Sequence, residues 1–107
     1  VVSLRDRYDE TVLSADRQLG AFLQALRERG LDKSSWLVVT SDHGESFGQG
    51  WVGHAGTSVN EAICHIPLLI RPPAGTAPRR IVSPACQLDL APTLLELLGI
   101  SAEGLPG

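Results

Sequence analysis

Nowhere in the 107 residues do Lys and Arg gather into a stripe, and the formal net charge is -3. A chain without a basic footprint is not built to hold a phosphate backbone, so nucleic acid is excluded as a partner. No apolar run approaches the roughly 18 residues of a membrane-spanning helix, and the N-terminus lacks the charged-then-apolar order of a secretion signal. No membrane segment is therefore expected within this stretch, although a longer parent is free to carry one. Cysteine is scarce as well. Cys64 and Cys86 are too few and too far apart for a zinc knuckle or a disulfide framework. They read as small apolar residues near strands, with a single disulfide between them as the open alternative. The chain has neither an internal repeat nor a low-complexity segment.

What is present is ordinary globular material, 43% hydrophobic and 20% charged. Leu4, Tyr8, Val12, Ala15, Leu19, Phe22, Leu23 and Leu26 recur at three- and four-residue steps, which predicts an amphipathic helix over residues 4 to 29, stopped by Gly30. Asp16 falls within that apolar stripe, and either finds a hydrogen-bond partner there or reaches water at its edge. The turn Asp32-Lys33-Ser34-Ser35 leads into a strand from Trp36 to Thr40. Five glycines between Gly44 and Gly56 predict a loop too glycine-rich for regular structure. A short helix is expected from Ser58 to Cys64, a second buried strand at Pro67 to Arg71, and a break at Pro72-Pro73-Ala74-Gly75. Arg79 to Ser83 reads as a short strand or extended edge. A last helix is expected through Leu98, with Asp89 as its cap and Pro92 in its first turn.

This order, α-β-α-β-(β)-α, predicts an α/β layered arrangement. Two or three apolar strands make a poor sheet by themselves, so the expectation is a piece of a larger domain. The lack of a start methionine, and an end at Pro106-Gly107 just after a helix, agree with that expectation.

The densest chemistry lies at Thr40-Ser41-Asp42-His43-Gly44-Glu45, directly after the apolar run Trp36 to Val39. It puts a carboxylate and an imidazole at the carboxyl end of a strand, where open α/β sheets build their sites. Both groups are good donors to a divalent cation, and Gly44 lets the backbone turn away behind them. Asp42 and His43 therefore read as half of a metal site. Glu45 beside them either holds His43 through its second ring nitrogen or faces solvent. His65 and the Arg79-Arg80 pair read as surface polar residues.

The helix with Tyr8, Val12, Asp16 and Gly20, the strand leading to Ser41-Asp42-His43-Gly44-Glu45, the Gly53-His54 pair, the segment from Glu61 to Pro67-Leu68-Leu69-Ile70, and the run Asp89 to Ile100 together resemble the carboxyl-terminal part of the sulfatase catalytic domain. That domain belongs to the alkaline-phosphatase-like superfamily. The resemblance implies that residues 1–107 are a fragment of one such domain, lacking its amino-terminal, nucleophile-bearing part. It implies hydrolysis of sulfate monoesters in a divalent-metal site, usually calcium, with Asp42 and His43 as metal ligands. It also implies a formylglycine nucleophile outside this chain. Cys64 is followed by His65-Ile66-Pro67 and Cys86 by Gln87-Leu88-Asp89, so neither fits the modification segment.

His54 stands where many sulfatases carry a Lys against a substrate oxygen. The resemblance gives it that oxyanion or proton-donor role, with a second-metal ligand and a structural loop residue as the other readings. The implied partners are a small-molecule or glycan sulfate ester and the remainder of the catalytic domain, and the implied location is extracytoplasmic. The fragment alone should be inactive. Phosphoryl-transferring relatives, namely a phosphodiesterase, a phosphonate hydrolase or a phosphoethanolamine-type transferase, use the same Asp-His pair. A non-catalytic module of the same fold is the remaining alternative.

Overall fold

A computed structural model describes residues 3–48, 52–54, 59–73 and 77–107. Ser58 and the Ala74-Gly75 part of the expected break lie outside the described residues. The chain divides into two compact units, Val1–Thr76 and Ala77–Gly107.

In the first unit, α1 runs from Leu4 to Glu28. Ser3 starts it with a reciprocal cap: its hydroxyl accepts from the Asp6 amide at 3.1 Å, and its own amide donates to Asp6 Oδ2 at 2.8 Å. The charged form of Asp6 is favoured by these bonds, so its carboxyl is held below its ordinary value, first by the Ser3 amide and then by the Ser3 hydroxyl. The helix ends where expected. Gly30 follows at φ 68, a left-handed conformation that glycine adopts without a Cβ clash. Asp16 is exposed, so the edge of the stripe rather than a buried partner is its fate.

A single 3-10 turn at Leu31–Lys33 leads to β1, Leu37–Thr40. Its partner is β4, Leu68–Arg71, in antiparallel register with Leu37 opposite Arg71 and Thr40 opposite Leu68. Between them the glycine-rich stretch is not wholly irregular. Two-residue strands, β2 at Ser46–Phe47 and β3 at Val52–Gly53, pair antiparallel as Ser46 with Gly53 and Phe47 with Val52. Glycine content hid this hairpin, because strands of two residues carry no readable alternation. Phe47 meets α1, with its ring 5.1 Å from that of Tyr8 in an edge-on arrangement and the Arg5 guanidinium 5.9 Å from its centroid.

The short helix α2 is confined to Glu61–Cys64 and is capped by Asn60, whose side chain accepts from the Ile63 amide at 3.2 Å. Across the described residues no apolar side chain is buried, and Ser46 is the buried residue among them. Leu68, Leu69 and Ile70 on β4 are all exposed, although their sequence suits burial on both faces.

The second unit corrects the expected start of the last helix and narrows one other expectation. Of the two readings of Arg79 to Ser83, a short strand or an extended edge, the strand does not form, and all of the segment is exposed. The last helix, α3, begins earlier than expected and spans Gln87–Leu97. Its N-cap is Cys86; Asp89 sits one turn in, and its carboxylate accepts from the Cys86 amide at 2.6 Å. Pro92 consequently lies inside the helix rather than in its first turn. Cys64 in the first unit and Cys86 in the second are each exposed. No described helix is long and apolar enough to cross a membrane.

Candidate functional site

Strand β1 ends at Thr40, and the chain turns at once through Ser41, Asp42, His43 and Gly44. Local polar bonds fix this turn: Ser41 Oγ donates to the His43 carbonyl at 2.6 Å, and the His43 amide donates to Asp42 Oδ1 at 3.0 Å. A longer-range bond then anchors it. The Gly44 amide donates to the Ile63 carbonyl at 2.7 Å, tying the turn to α2. Gly44 is required by this approach, since a Cβ there would collide with the Ala62 carbonyl oxygen.

The hydrogen bonds assign the ring nitrogens of His43. Nδ1 lies 2.9 Å from the Gly44 carbonyl, which can only accept, so Nδ1 carries the proton and donates. Nε2 is left as the lone-pair nitrogen, 3.7 Å from Asp42 Oδ2. The Asp42 side chain is 86% exposed and that of His43 41% exposed, so both are accessible from outside the turn.

A divalent cation takes N and O ligands at about 2.0–2.6 Å, so donor atoms this far apart are within the span of two ligands on one ion. The residues therefore fit the cation that the sequence suggested. They fit it only as a partial site: among the described residues no group of three or more His, Cys, Asp or Glu is arranged to hold a metal.

His54 joins this pair through the β2–β3 hairpin. The register that sets Ser46 opposite Gly53 continues to set Glu45 beside His54. His54 Nδ1 lies 2.9 Å from Glu45 Oε2, and the Glu45 side chain is only 21% exposed. The His54 ring stacks on that of His43, with centroids 4.3 Å apart and planes 23° from parallel. Gly53 makes the approach possible with φ 106, which a side chain would strain. Glu45 thus holds His54, which neither of its two sequence readings named, while the His43 Nδ1–H donates to the Gly44 carbonyl. The missed signal was the hairpin register: once Ser46 faces Gly53, the next pair outward is Glu45 with His54.

The arrangement is two stacked imidazoles, each committed through Nδ1 to an acceptor, with a carboxylate beside the Nε2 of one of them. It can bind a cation on one side and present a hydrogen-bonding imidazole on the other. His65 takes no part in this cluster: it is exposed and pairs with Glu61 one turn away, Nδ1 to Oε1 3.2 Å.

Comparison with known proteins gives a consistent result. A family profile described as Sulfatase matches residues 3–100. An uncharacterized sulfatase of Escherichia coli K12, YidJ, is 37% identical over 93 residues, covering 86% of this chain and 18% of the relative. Arylsulfatase K of Bos taurus is 33% identical over 100 residues, covering 94% of this chain and 18% of the relative. A lipoteichoic acid synthase-like protein of Bacillus subtilis, YvgJ, is 30% identical over 111 residues, with 94% and 18% covered. The chain thus spans about 18% of the length of these curated relatives. No solved structure matches it significantly.

Proposed function

Because the chain belongs to the sulfatase family, we propose that it supplies part of the divalent-cation site of a sulfuric ester hydrolase. The family carries the α/β fold of the alkaline-phosphatase-like superfamily, and the mixture of helices and small sheets agrees with a partial version of it. The observation that carries the functional reading is the 3.7 Å separation of Asp42 Oδ2 from His43 Nε2 at the carboxyl end of β1.

Asp42 and His43 are the proposed ligands, and calcium is the ion proposed from the family resemblance, with the His43 nitrogen needing oxygen ligands from other segments to complete the set. A bound cation would polarise a sulfuryl oxygen and steady the nucleophile. The remaining ligands and the formylglycine nucleophile belong to sequence outside residues 1–107, which form a fragment of one catalytic domain, inactive alone. His54 is the proposed catalytic residue. Its Nε2 is placed by the Glu45 bond to donate to a substrate oxygen or to the leaving alcohol. A small-molecule or glycan sulfate ester is the proposed substrate, and the proposed compartment is extracytoplasmic.

Metal titration of the full-length protein tests the ligand assignment. Asp42→Asn and His43→Ala should each weaken calcium binding by more than the roughly 10- to 100-fold that changes just outside a metal's ligand set produce. Unchanged affinity in both variants would overturn it. The match to a protein named lipoteichoic acid synthase-like keeps a second reading, phosphoryl transfer, beside the first. Peptide mapping of the full-length protein decides between them. A formylglycine supports the sulfatase, and an unmodified Ser or Thr nucleophile supports the alternative.

A further inference from the structure

The Glu45–His54 contact has a feature that a chance surface ion pair lacks: the carboxylate is the less exposed partner, with 21% of its side chain accessible against 52% for the imidazole. An exposed pair is held weakly and reorients freely. Here the carboxylate immediately precedes β2, the imidazole immediately follows β3, and the backbone pairing of the two strands determines that they meet. The His43 ring closes the face of His54 at 4.3 Å, so the imidazole is restrained both at its edge and across its plane.

We infer that Glu45 is a positioning residue for His54: it accepts a hydrogen bond from Nδ1–H, fixes the ring in one tautomer, and leaves Nε2 as the nitrogen available to a substrate. The consequence for the reaction rests on the sulfatase reading given above. A carboxylate acceptor leaves a neutral His54 with its lone pair on Nε2, and gives a protonated His54 a single outward N–H at the same atom. In both states the outward nitrogen is the same, so proton donation to a sulfate oxygen or leaving alcohol needs no ring flip. Without Glu45 a neutral imidazole distributes its proton over both nitrogens, and its ring is free to rotate about the side-chain bonds.

The test uses the full-length protein with Glu45→Gln and Glu45→Ala, and 4-nitrophenyl sulfate as the probe. Glutamine keeps an acceptor oxygen at the same reach, whereas alanine removes it. Expected for Glu45→Ala is a roughly 10- to 100-fold lower kcat, the range for loss of an orienting partner. Its KM and calcium affinity should stay within about twofold, and Glu45→Gln should recover most of kcat. Nitrogen-15 NMR at alkaline pH should show His54 protonated at Nδ1 in the wild type and in Glu45→Gln, but mixed between the two nitrogens in Glu45→Ala. An unchanged tautomer in Glu45→Ala, or a kcat as low in Glu45→Gln as in Glu45→Ala, overturns the positioning role. If peptide mapping of the wild type finds an unmodified Ser or Thr nucleophile in place of formylglycine, the sulfatase reading fails, while the tautomer comparison still decides what Glu45 does.

Discussion

Gly44 and Gly53 are both needed at the site, for different physical reasons. At Gly44 the difficulty is space, because the Ala62 carbonyl occupies the place of a side chain. At Gly53 the difficulty is the backbone, since φ 106 is strained for any residue with a Cβ. Gly44→Ala should therefore destabilise the full-length protein by about 1–3 kcal/mol, as overpacking does. It should also lower calcium affinity, because the Asp42-His43 turn must shift; denaturant unfolding and metal titration check the two effects. Gly53→Ala should act more narrowly, lowering kcat while leaving calcium affinity close to wild type, since it displaces His54 alone. Equal loss of metal binding in both variants would contradict this division. The positions of Asp42 and His43 at a strand end were legible in the sequence, because an apolar run followed by polar residues is a local signal. The partner of Glu45 was not, because it is set by pairing between two strands of two residues each, too short to leave a pattern.

The elements themselves were read well where periodicity or capping chemistry is strong. Eight apolar residues at helical spacing and a glycine stop gave α1 to within a residue of its observed end. The first turn also carries a pH dependence of known sign. Asp6 has a lowered carboxyl value in the folded chain, so its bonds to Ser3 stabilise the turn fully above the ordinary value of 3.8. That contribution is lost as the pH falls through the lowered folded value. A carboxyl-detected NMR titration should place the Asp6 midpoint below 3.8. Ser3→Ala should move it upward, and a midpoint unaffected by Ser3→Ala would remove the cap as the cause. At α3 the misreading came from treating Asp89 as the cap itself. A carboxylate three residues into a helix can reach back to the cap amide, so acidic residues mark the first turn without identifying its first residue. Of the two readings of Arg79 to Ser83, the strand fails because β-branched residues suit a strand only when a neighbouring strand takes their hydrogen bonds.

At the scale of the molecule, the expectation of an α/β chain holds, while the expected burial does not. Val12 and Phe22 on α1 are 50% and 53% exposed, and Leu69 on β4 is 60% exposed, so helix and strand both show apolar faces to solvent. Apolar surface of this kind is covered in stable proteins, which supports the proposal that residues 1–107 are completed by further parts of one catalytic domain. Expressed alone, the chain should bind a hydrophobic dye such as ANS and unfold without a sharp transition by circular dichroism. The full-length protein should do neither. A cooperative, dye-free isolated chain would count against the fragment reading.

The bond from the Gly44 amide to the Ile63 carbonyl has one more consequence. It pins residues 44 and 63 together, so the turn that carries Asp42 and His43 cannot move without α2. The Asp42-His43 turn is in this sense moored from two sides, by the chain to the end of β1 and by the Gly44 amide to α2, so a disturbance of either element is passed directly to both side chains.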